Sequence, residues 1–236
     1  MNSPKMFIDG SNIAYVCMFA AEKRKGDIEE AFEKVYHNLV QKLRKMYPFH
    51  EMIFAWEGEG NSIKHRLEMF PSYKQNRIGG ANRSTKSFRK IAKAYNVEAG
   101  HLNMALPEAE ADDTIYALAN IYKDTCDRNV IISSDHDFIQ ISQEGLVAEQ
   151  YSCQSHKYVA IPEYDIVTFK SLSGDSSDCI PGIVGCGPKT ALKYMREGIP
   201  EEHQATYEKF FKIVSMRYYA DKYDTINRVK AMLETT

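Results

Sequence analysis

At 236 residues, 44% of them hydrophobic and 26% charged, the chain is long enough to bury a full core and reads as a single domain spanning 1–236. Five scattered cysteines with no C-x-x-C pair argue against a disulfide framework or a zinc ribbon, and no apolar run approaches the roughly 20 residues of a membrane span. The start, Met1-Asn2-Ser3-Pro4-Lys5, has no signal-peptide apolar core, so with a net charge of −2 a soluble cytoplasmic protein is expected, with no membrane partner.

Met6-Phe7-Ile8 reads as a short buried strand ended by Asp9, after which Gly10-Ser11-Asn12 turns the chain. Ile28, Phe32, Val35, Leu39 and Leu43 recur near the 3.6 period and predict a helix from about Ile28 to Met46. Met52 to Trp56 is the second strand, ending at Glu57-Gly58-Glu59-Gly60. Between Lys64 and Lys93 lie nine Lys or Arg residues and one acid, Glu68, which leaves the remainder of the chain strongly acidic. A Gly79-Gly80 break divides this basic segment into two helical pieces. Pro107 and the acids after it mark a helix start continuing through Ile115, Leu118 and Tyr122, and Val130 to Ser133 is the third core strand. Residues 146–151 and 156–161 suggest a peripheral hairpin, and from about Pro162 the chain becomes short helices and tight turns. Strands alternating with helices imply an α/β fold with a mostly parallel central sheet covered by helices.

In such sheets the site lies beyond the carboxyl ends of the strands, where Asp9, Glu57 and Asp135 are placed. Glu110, Asp112 and Asp113 form one tight acidic group, and Asp135 and Asp137 another. Carboxylates this close raise one another's pKa unless a cation neutralises them. Their hard oxygens suit Mg²⁺ or Mn²⁺ rather than zinc. Capping of a helix start is the bland alternative for Glu108, Glu110, Asp112 and Asp113. A basic segment beside an acidic metal cluster fits a polyanionic substrate bridging both, against the alternative of a solvated basic helix face. Ile180-Pro181-Gly182-Ile183-Val184-Gly185-Cys186-Gly187-Pro188-Lys189-Thr190 follows Gly174-Asp175-Ser176-Ser177-Asp178. A glycine hairpin leading into a helix exposes backbone N–H groups and a helix N-terminus to a phosphate. That is the mechanics of a helix-hairpin-helix, which grips duplex DNA without reading sequence. A nucleotide-binding glycine turn would need a strand before it, and Ser171 to Ser177 is not one.

These residues, in this order, resemble the structure-specific 5′ nuclease family, the flap endonucleases and 5′–3′ exonucleases of phages, bacteria and the 5′-nuclease domains of bacterial DNA polymerase I. The resemblance rests on Phe7-Ile8-Asp9-Gly10, Arg66-Leu67-Glu68, Tyr73-Lys74-x-Asn76-Arg77, Glu110-Ala111-Asp112-Asp113, Ser134-Asp135-His136-Asp137-Phe138 and Gly174-Asp175-Ser176-Ser177-Asp178 with the hairpin. It runs from about Phe7 to Met195 and is closest to the phage-type or free-standing bacterial forms. The resemblance implies a PIN-like 5′ nuclease core with a helical arch at 61–95 and a helix-hairpin-helix (H3TH) region at 163–200. It implies a first metal held by Asp9, Glu110, Asp112, Asp135 and Asp137. Asp113, Asp175 and Asp178 would shape a second site. Lys74 and Arg77 match arch residues that reach the scissile phosphate. One departure is Glu57, with Glu59 nearby, where the family has Asp. A K⁺ ion at the hairpin is a further implied cofactor.

The function expected is Mg²⁺-dependent hydrolysis of DNA near 5′ single-strand/duplex junctions, in replication or repair, with Mn²⁺ able to substitute. Two ions roughly 3.5–4 Å apart would clamp the attacking and leaving oxygens. Arg83 and Lys86 are expected to contact phosphates, Tyr73 to stack on unpaired bases, and Gly182, Gly185, Gly187, Lys189 and Thr190 to anchor the duplex. RNA–DNA hybrids are further candidate substrates, and a monomer is expected. One alternative is a DNA-binding protein of the same fold with weakened catalysis. The other is a small-substrate phosphatase using Asp135 and Asp137, which leaves the hairpin and basic segment unexplained.

Overall fold

Two apolar runs lie side by side at the centre of the sheet. They are β1 (Lys5–Asp9) and β2 (Glu51–Ala55), paired in parallel with Phe7 opposite Ile53. The computed structural model describes residues 3–77, 82–125 and 127–235, and the side chains of these except 77 and 82–84. The break expected at Gly79-Gly80 lies outside the described residues.

Helix α1 (Gly10–Glu22) starts directly at the end of β1, and α2 (Ile28–Met46) returns the chain to β2. Asp27 caps α2 by accepting from the Glu30 N–H at 2.9 Å. Its acids at Glu29 and Glu30 and bases at Arg44 and Lys45 complement the helix dipole. The basic segment forms α3 (Lys64–Met69), a 3₁₀ turn at Gln75–Arg77 and α4 (Asn82–Glu98). Strand β3 (Leu102–Met104), α5 (Ala111–Ile121), β4 (Val130–Ile132), a 3₁₀ turn at His136–Phe138 and α6 (Ile139–Gln143) follow. The predicted hairpin is the antiparallel pair β5 (Glu149–Ser152) and β6 (Lys157–Tyr158). The chain ends in α7 (Ile166–Ser173), a 3₁₀ turn at Ser176–Asp178, α8 (Pro188–Glu197), α9 (Glu201–Val214), α10 (Met216–Tyr223) and α11 (Thr225–Glu234).

The strand order is β3-β2-β1-β4-β5-β6, and every pairing but the last is parallel. Side chains alternate across the sheet, so β1 feeds two cores. Met6 and Ile8 pack with α1, α2 and α4 through Cys17, Phe32, Val40 and Phe88, while Phe7 packs on the other face with Ile115, Leu118, Met216 and Val229. Burial on both faces explains why the central strands are continuous apolar runs. The parallel pairing of β1 with β2 and β4 brings their carboxyl ends to one edge.

Candidate metal centre

Asp9 is the last residue of β1 and the N-cap of α1. Its carboxylate accepts from the Asn12 N–H and the Ser133 hydroxyl, both at 3.0 Å. Asp135 follows β4 and caps its own turn, accepting from the Asp137 N–H at 3.0 Å. Gln150 on β5 holds that turn by donating to the carbonyls of Ser133 (3.0 Å) and Asp135 (2.6 Å). Glu110 is the N-cap of α5, and its N–H donates to Asp113 at 3.2 Å. Helix capping and cluster formation are therefore properties of the same acids. Glu110, Asp112 and Asp113 bring ligand oxygens within 4.8 Å of one another.

Among the described residues, three cations enter this cluster from within the fold. The Arg66 guanidinium grips both oxygens of Asp113 at 2.7 Å and reaches Glu110 at 2.9 Å. Lys74 bonds Glu110 and lies 3.7 Å from Asp178. Lys170 on α7 bonds Asp137 and, at 2.7 Å, Asp175. The Tyr73 hydroxyl adds bonds to Glu110 at 2.9 Å and Asp178 at 3.1 Å.

The cations sort the acids into two sets. Burial alone would raise the pKa of Glu110, but Lys74 and Arg66 outweigh it and the pKa falls. Asp175 is lowered in the same way, with Lys170 overcoming burial. Asp9, Glu57, Asp112 and Asp135 form no ion pair with a described residue, and the cations near them do not outweigh burial. Burial raises Asp9, and burial with Glu110 and Asp113 beside it holds Asp112 well above the usual carboxylate range. Burial and the neighbouring Glu110 push Glu57 up to about 7, and burial and Asp137 push Asp135 up to about 6. Asp135 keeps solvent contact at the rim of the cluster. Four acids held above their ordinary range, all offering oxygen, are a donor set that fits a hard divalent cation. Glu57, two residues beyond the end of β2, lies near Glu110 and Asp9 and is the acid after the second strand that meets the cluster. Glu59 is exposed, and its carbonyl accepts from the Glu108 N–H.

One expectation needs correction. Tyr73 is not available to stack on bases, because it is 2% exposed and both partners of its hydroxyl are cluster acids. Lys74 points into the cluster, with a left-handed backbone φ of 51°. Asp113 accepts from Arg66 at both oxygens while keeping an oxygen within 4.8 Å of those of Glu110 and Asp112. Lys86 and Lys189 are exposed and Thr190 half-buried. The side chains of Arg77 and Arg83 lie outside the described residues. Gly182 is glycine for packing reasons: with φ at 67°, an added Cβ would lie 2.3 Å from the Gly174 nitrogen. Gly185, at φ 77°, and Gly187 face open space.

Composition and spacing assign no role to Arg66 or Lys170, and none of its own to Arg89. Arg89 on α4 lies close enough to Asp9 and Glu57 to favour their charged forms. A basic repeat on α4, Lys86, Arg89, Lys90 and Lys93, is the signal that could have found it.

The sign of one titration is testable. Glu57 ionises near 4.5 when unfolded and about 7 when folded. Between those values the folded state binds the extra proton, so this contribution to stability is lost as pH rises through the window. Glu57→Gln removes it. In EDTA, the Tm of Glu57→Gln minus that of the parent should grow across this range, and a constant difference would contradict the assignment.

A parallel sheet whose carboxyl edge gathers unneutralised oxygen ligands defines a divalent-metal site, of the class that serves metal-dependent nucleases. The chain belongs to the 5′–3′ exonuclease family, whose N-terminal, resolvase-like domain model matches residues 4–166. It is 30% identical to the flap endonuclease Xni of Shewanella pealeana over 199 residues, 81% of this chain and 75% of that one. It is 31% identical to DNA polymerase I of Bacillus caldotenax over 215 residues, 84% of this chain but 24% of the polymerase. The fold matches a bacteriophage T5 flap endonuclease solved with DNA and metal ions, with TM-score 0.76 and 19% identity over 98% of each chain. It also matches the catalytic core of Rad2 bound to DNA, with TM-score 0.56 and 14% identity over 98% of this chain and 71% of that one. At these identities the structural likeness is one of fold.

Proposed function

We propose that this chain is a Mg²⁺-dependent structure-specific 5′ nuclease, cutting DNA close to 5′ single-strand/duplex junctions as a flap endonuclease and 5′–3′ exonuclease in replication or repair. The observation that carries this reading is the set of four unneutralised acids, Asp9, Glu57, Asp112 and Asp135, at the carboxyl edge of the sheet. Retention of all these acids argues against a binding protein that has lost catalysis.

These four acids, with Glu110, would hold the first ion. Asp137, Asp175 and Asp178 would shape the second site, and Mn²⁺ would substitute for Mg²⁺. When bound, the ions supply a water of lowered pKa and neutralise charge on the leaving oxygen. The chain's own part is positioning. Arg66 fixes the start of α5, and with it Glu110 and Asp112. Gln150 fixes the turn that carries Asp135. Arg89 lies near enough to Asp9 and Glu57 to act on their charge, and a positive group there would favour an incoming phosphate. Lys74 acts from inside the cluster on Glu110, and Arg77 is the residue proposed to meet the scissile phosphate.

The basic segment at 61–95 is proposed as the arch over the single strand. Its foot is tied to the approach of the hairpin: the Lys74 N–H donates to the Asp178 carbonyl at 3.0 Å, and the Asn76 amide to the Ser177 carbonyl at 3.2 Å. Helices α7 and α8, joined by a loop whose Ile183 N–H returns to the Leu172 carbonyl at 2.8 Å, form the proposed helix-hairpin-helix at 163–200. Gly185, Gly187, Lys189 and Thr190 would hold duplex phosphates there, with K⁺ as a further ligand of the hairpin. A grip on phosphates alone extends to RNA–DNA hybrids. The chain is taken to act as a monomer of one domain.

The test is cleavage of matched 5′-flap, 3′-flap and single-stranded oligonucleotides with and without Mg²⁺. The 5′ flap should be cut preferentially, near its junction, and only with the ion. Gly185→Val should weaken binding of duplex-containing substrates and leave a short single strand much less affected, because a side chain at φ 77° strains the turn that presents the N–H groups. Equal cutting of 5′ and 3′ flaps, or proportional loss of every activity in the variant, would sink the reading.

A further inference from the structure

We propose that the Lys170 ammonium is a tethered placeholder for the second divalent ion, bridging Asp137 and Asp175 in the ion-free protein and competing with that ion for them. The inference rests on the two-ion reading above and concerns how its second site is filled.

Asp137 and Asp175 come from different segments, the turn after β4 and the turn after α7, and among the described residues Lys170 is the one cation that bonds both. Asp175 has little choice of partner. Its Oδ1 accepts from the Ser177 N–H at 2.9 Å and the Ser177 hydroxyl at 2.5 Å, and its Oδ2 from Lys170 at 2.7 Å. An ion that takes Asp175 Oδ2 would meet the ammonium already seated on that oxygen and compete with it. Beside this bridge lies a cavity about the size of one water molecule, with Asp112, Asp137, Asp175 and Asp178 in its wall. Four acids around so small a space make a site that is too tight for a hydrated ion while the ammonium holds two of them together.

The three internal cations differ in how readily they could leave. Arg66 is 2% exposed, forked on Asp113 and stacked 4.3 Å from the Tyr219 ring, so it is fixed. Lys74 lies under the arch foot with its backbone bonded to Asp178. Lys170 has a flexible four-carbon stem, is 15% exposed against 2% for Arg66, and is held by point-charge contacts rather than a planar fork. A lysine in this place keeps two acids from repelling each other while no ion is present. It also sets a threshold, because the second ion binds only when its gain exceeds the loss of two charge-assisted hydrogen bonds.

The test is a calorimetric titration of the metal-stripped full chain with Mn²⁺ alone, without DNA, comparing the parent, Lys170→Met and Lys170→Arg. Removing the competitor should tighten the weaker Mn²⁺ event by roughly tenfold or more, the scale set by a charge-assisted hydrogen bond that no longer has to be broken. Lys170→Arg keeps the charge and should stay near the parent. A second readout is thermal: Lys170→Met should melt lower than the parent in EDTA and gain more from added Mn²⁺. Lys170→Gln, with a polar end, serves the same comparison should the methionine variant not fold. Equal or weaker second-ion binding in the uncharged variant overturns the placeholder role while leaving the two-ion reading intact. If the parent takes up no Mn²⁺ at all, the metal reading fails and this inference with it.

Discussion

Arg66→Met is expected to lower the unfolding free energy by about 3–5 kcal/mol, the cost of removing one partner from a buried ion pair. The guanidinium is 2% exposed and donates three bonds, two to Asp113 and one to Glu110. It also donates to the Ile213 carbonyl at 3.3 Å, so it joins α3, α5 and the end of α9. Without it, Asp113 at 1% exposure would keep a charge with no partner but its own helix start. Methionine fills much of the volume, so the loss reports charge and hydrogen bonds rather than a cavity. The measurement is the urea midpoint in EDTA. Arg66→Met with Asp113→Leu removes both charges and should recover a good part of the loss, because neither is then orphaned. A single variant as stable as the parent would mean that the pair contributes nothing, and the anchoring of α5 would need another cause.

How far the sequence carries the fold depends on whether each element shows a contrast. Helix α2 is legible to the residue, because Ile28, Phe32 and Leu43 alternate with charges and Asp27 caps it. Strands β1, β2 and β4 are legible because burial on both faces makes them unbroken apolar runs. Helix α1 is not. Its buried face, Ile13, Cys17 and Met18, lies opposite exposed Tyr15 and Phe19, so no polar face marks the period, and it starts at a glycine that reads as a turn. Strand β3 has three residues, Leu102-Asn103-Met104, too few to show alternation. In the C-terminal part the turn-forming residues announce short helices, but not their division into α7 to α11.

The site divides similarly. The acids are legible because parallel sheets place function at strand ends, and the family order of motifs adds the rest. Their counter-cations are not, since a sequence shows charge but not direction. Arg66 and Lys74 lie in a segment that reads as a basic surface, yet both turn inward. Lys170 stands alone on a short helix with nothing nearby to mark it as a partner of Asp137. Tyr73 misleads for the same reason: an aromatic beside basic residues suits nucleic acid, but only the fold shows its hydroxyl spent on Glu110 and Asp178.

That division between neutralised and unneutralised acids has its largest consequence in catalysis. Asp112→Asn and Asp135→Asn should each lower single-turnover cleavage of a 5′ flap by roughly 10²–10³-fold or more, the scale of losing a preorganised electrostatic group at the reacting centre. Both acids carry charge that no described residue offsets through an ion pair, so an amide there removes attraction for the ion and relieves repulsion in the ion-free protein. Neither change should unfold the protein, and Asp112→Asn should raise its Tm in EDTA, since it removes a carboxylate held above its ordinary pKa range; the gain should be smaller for Asp135→Asn, whose side chain is exposed to solvent. Asp113→Asn should behave in the opposite way. It leaves Arg66 with an amide in place of a carboxylate, so its main effect should be lost stability. Binding of a 5′-flap duplex in Ca²⁺, measured by fluorescence anisotropy, should stay within a few-fold of the parent for Asp135→Asn, because the hairpin and basic segment are untouched. Cleavage at the parental rate by either amide variant would remove that acid from the metal centre. A fall in flap affinity matching the fall in rate would instead make the acid part of the substrate grip, and the separation between ion-holding edge and phosphate-holding hairpin would be lost.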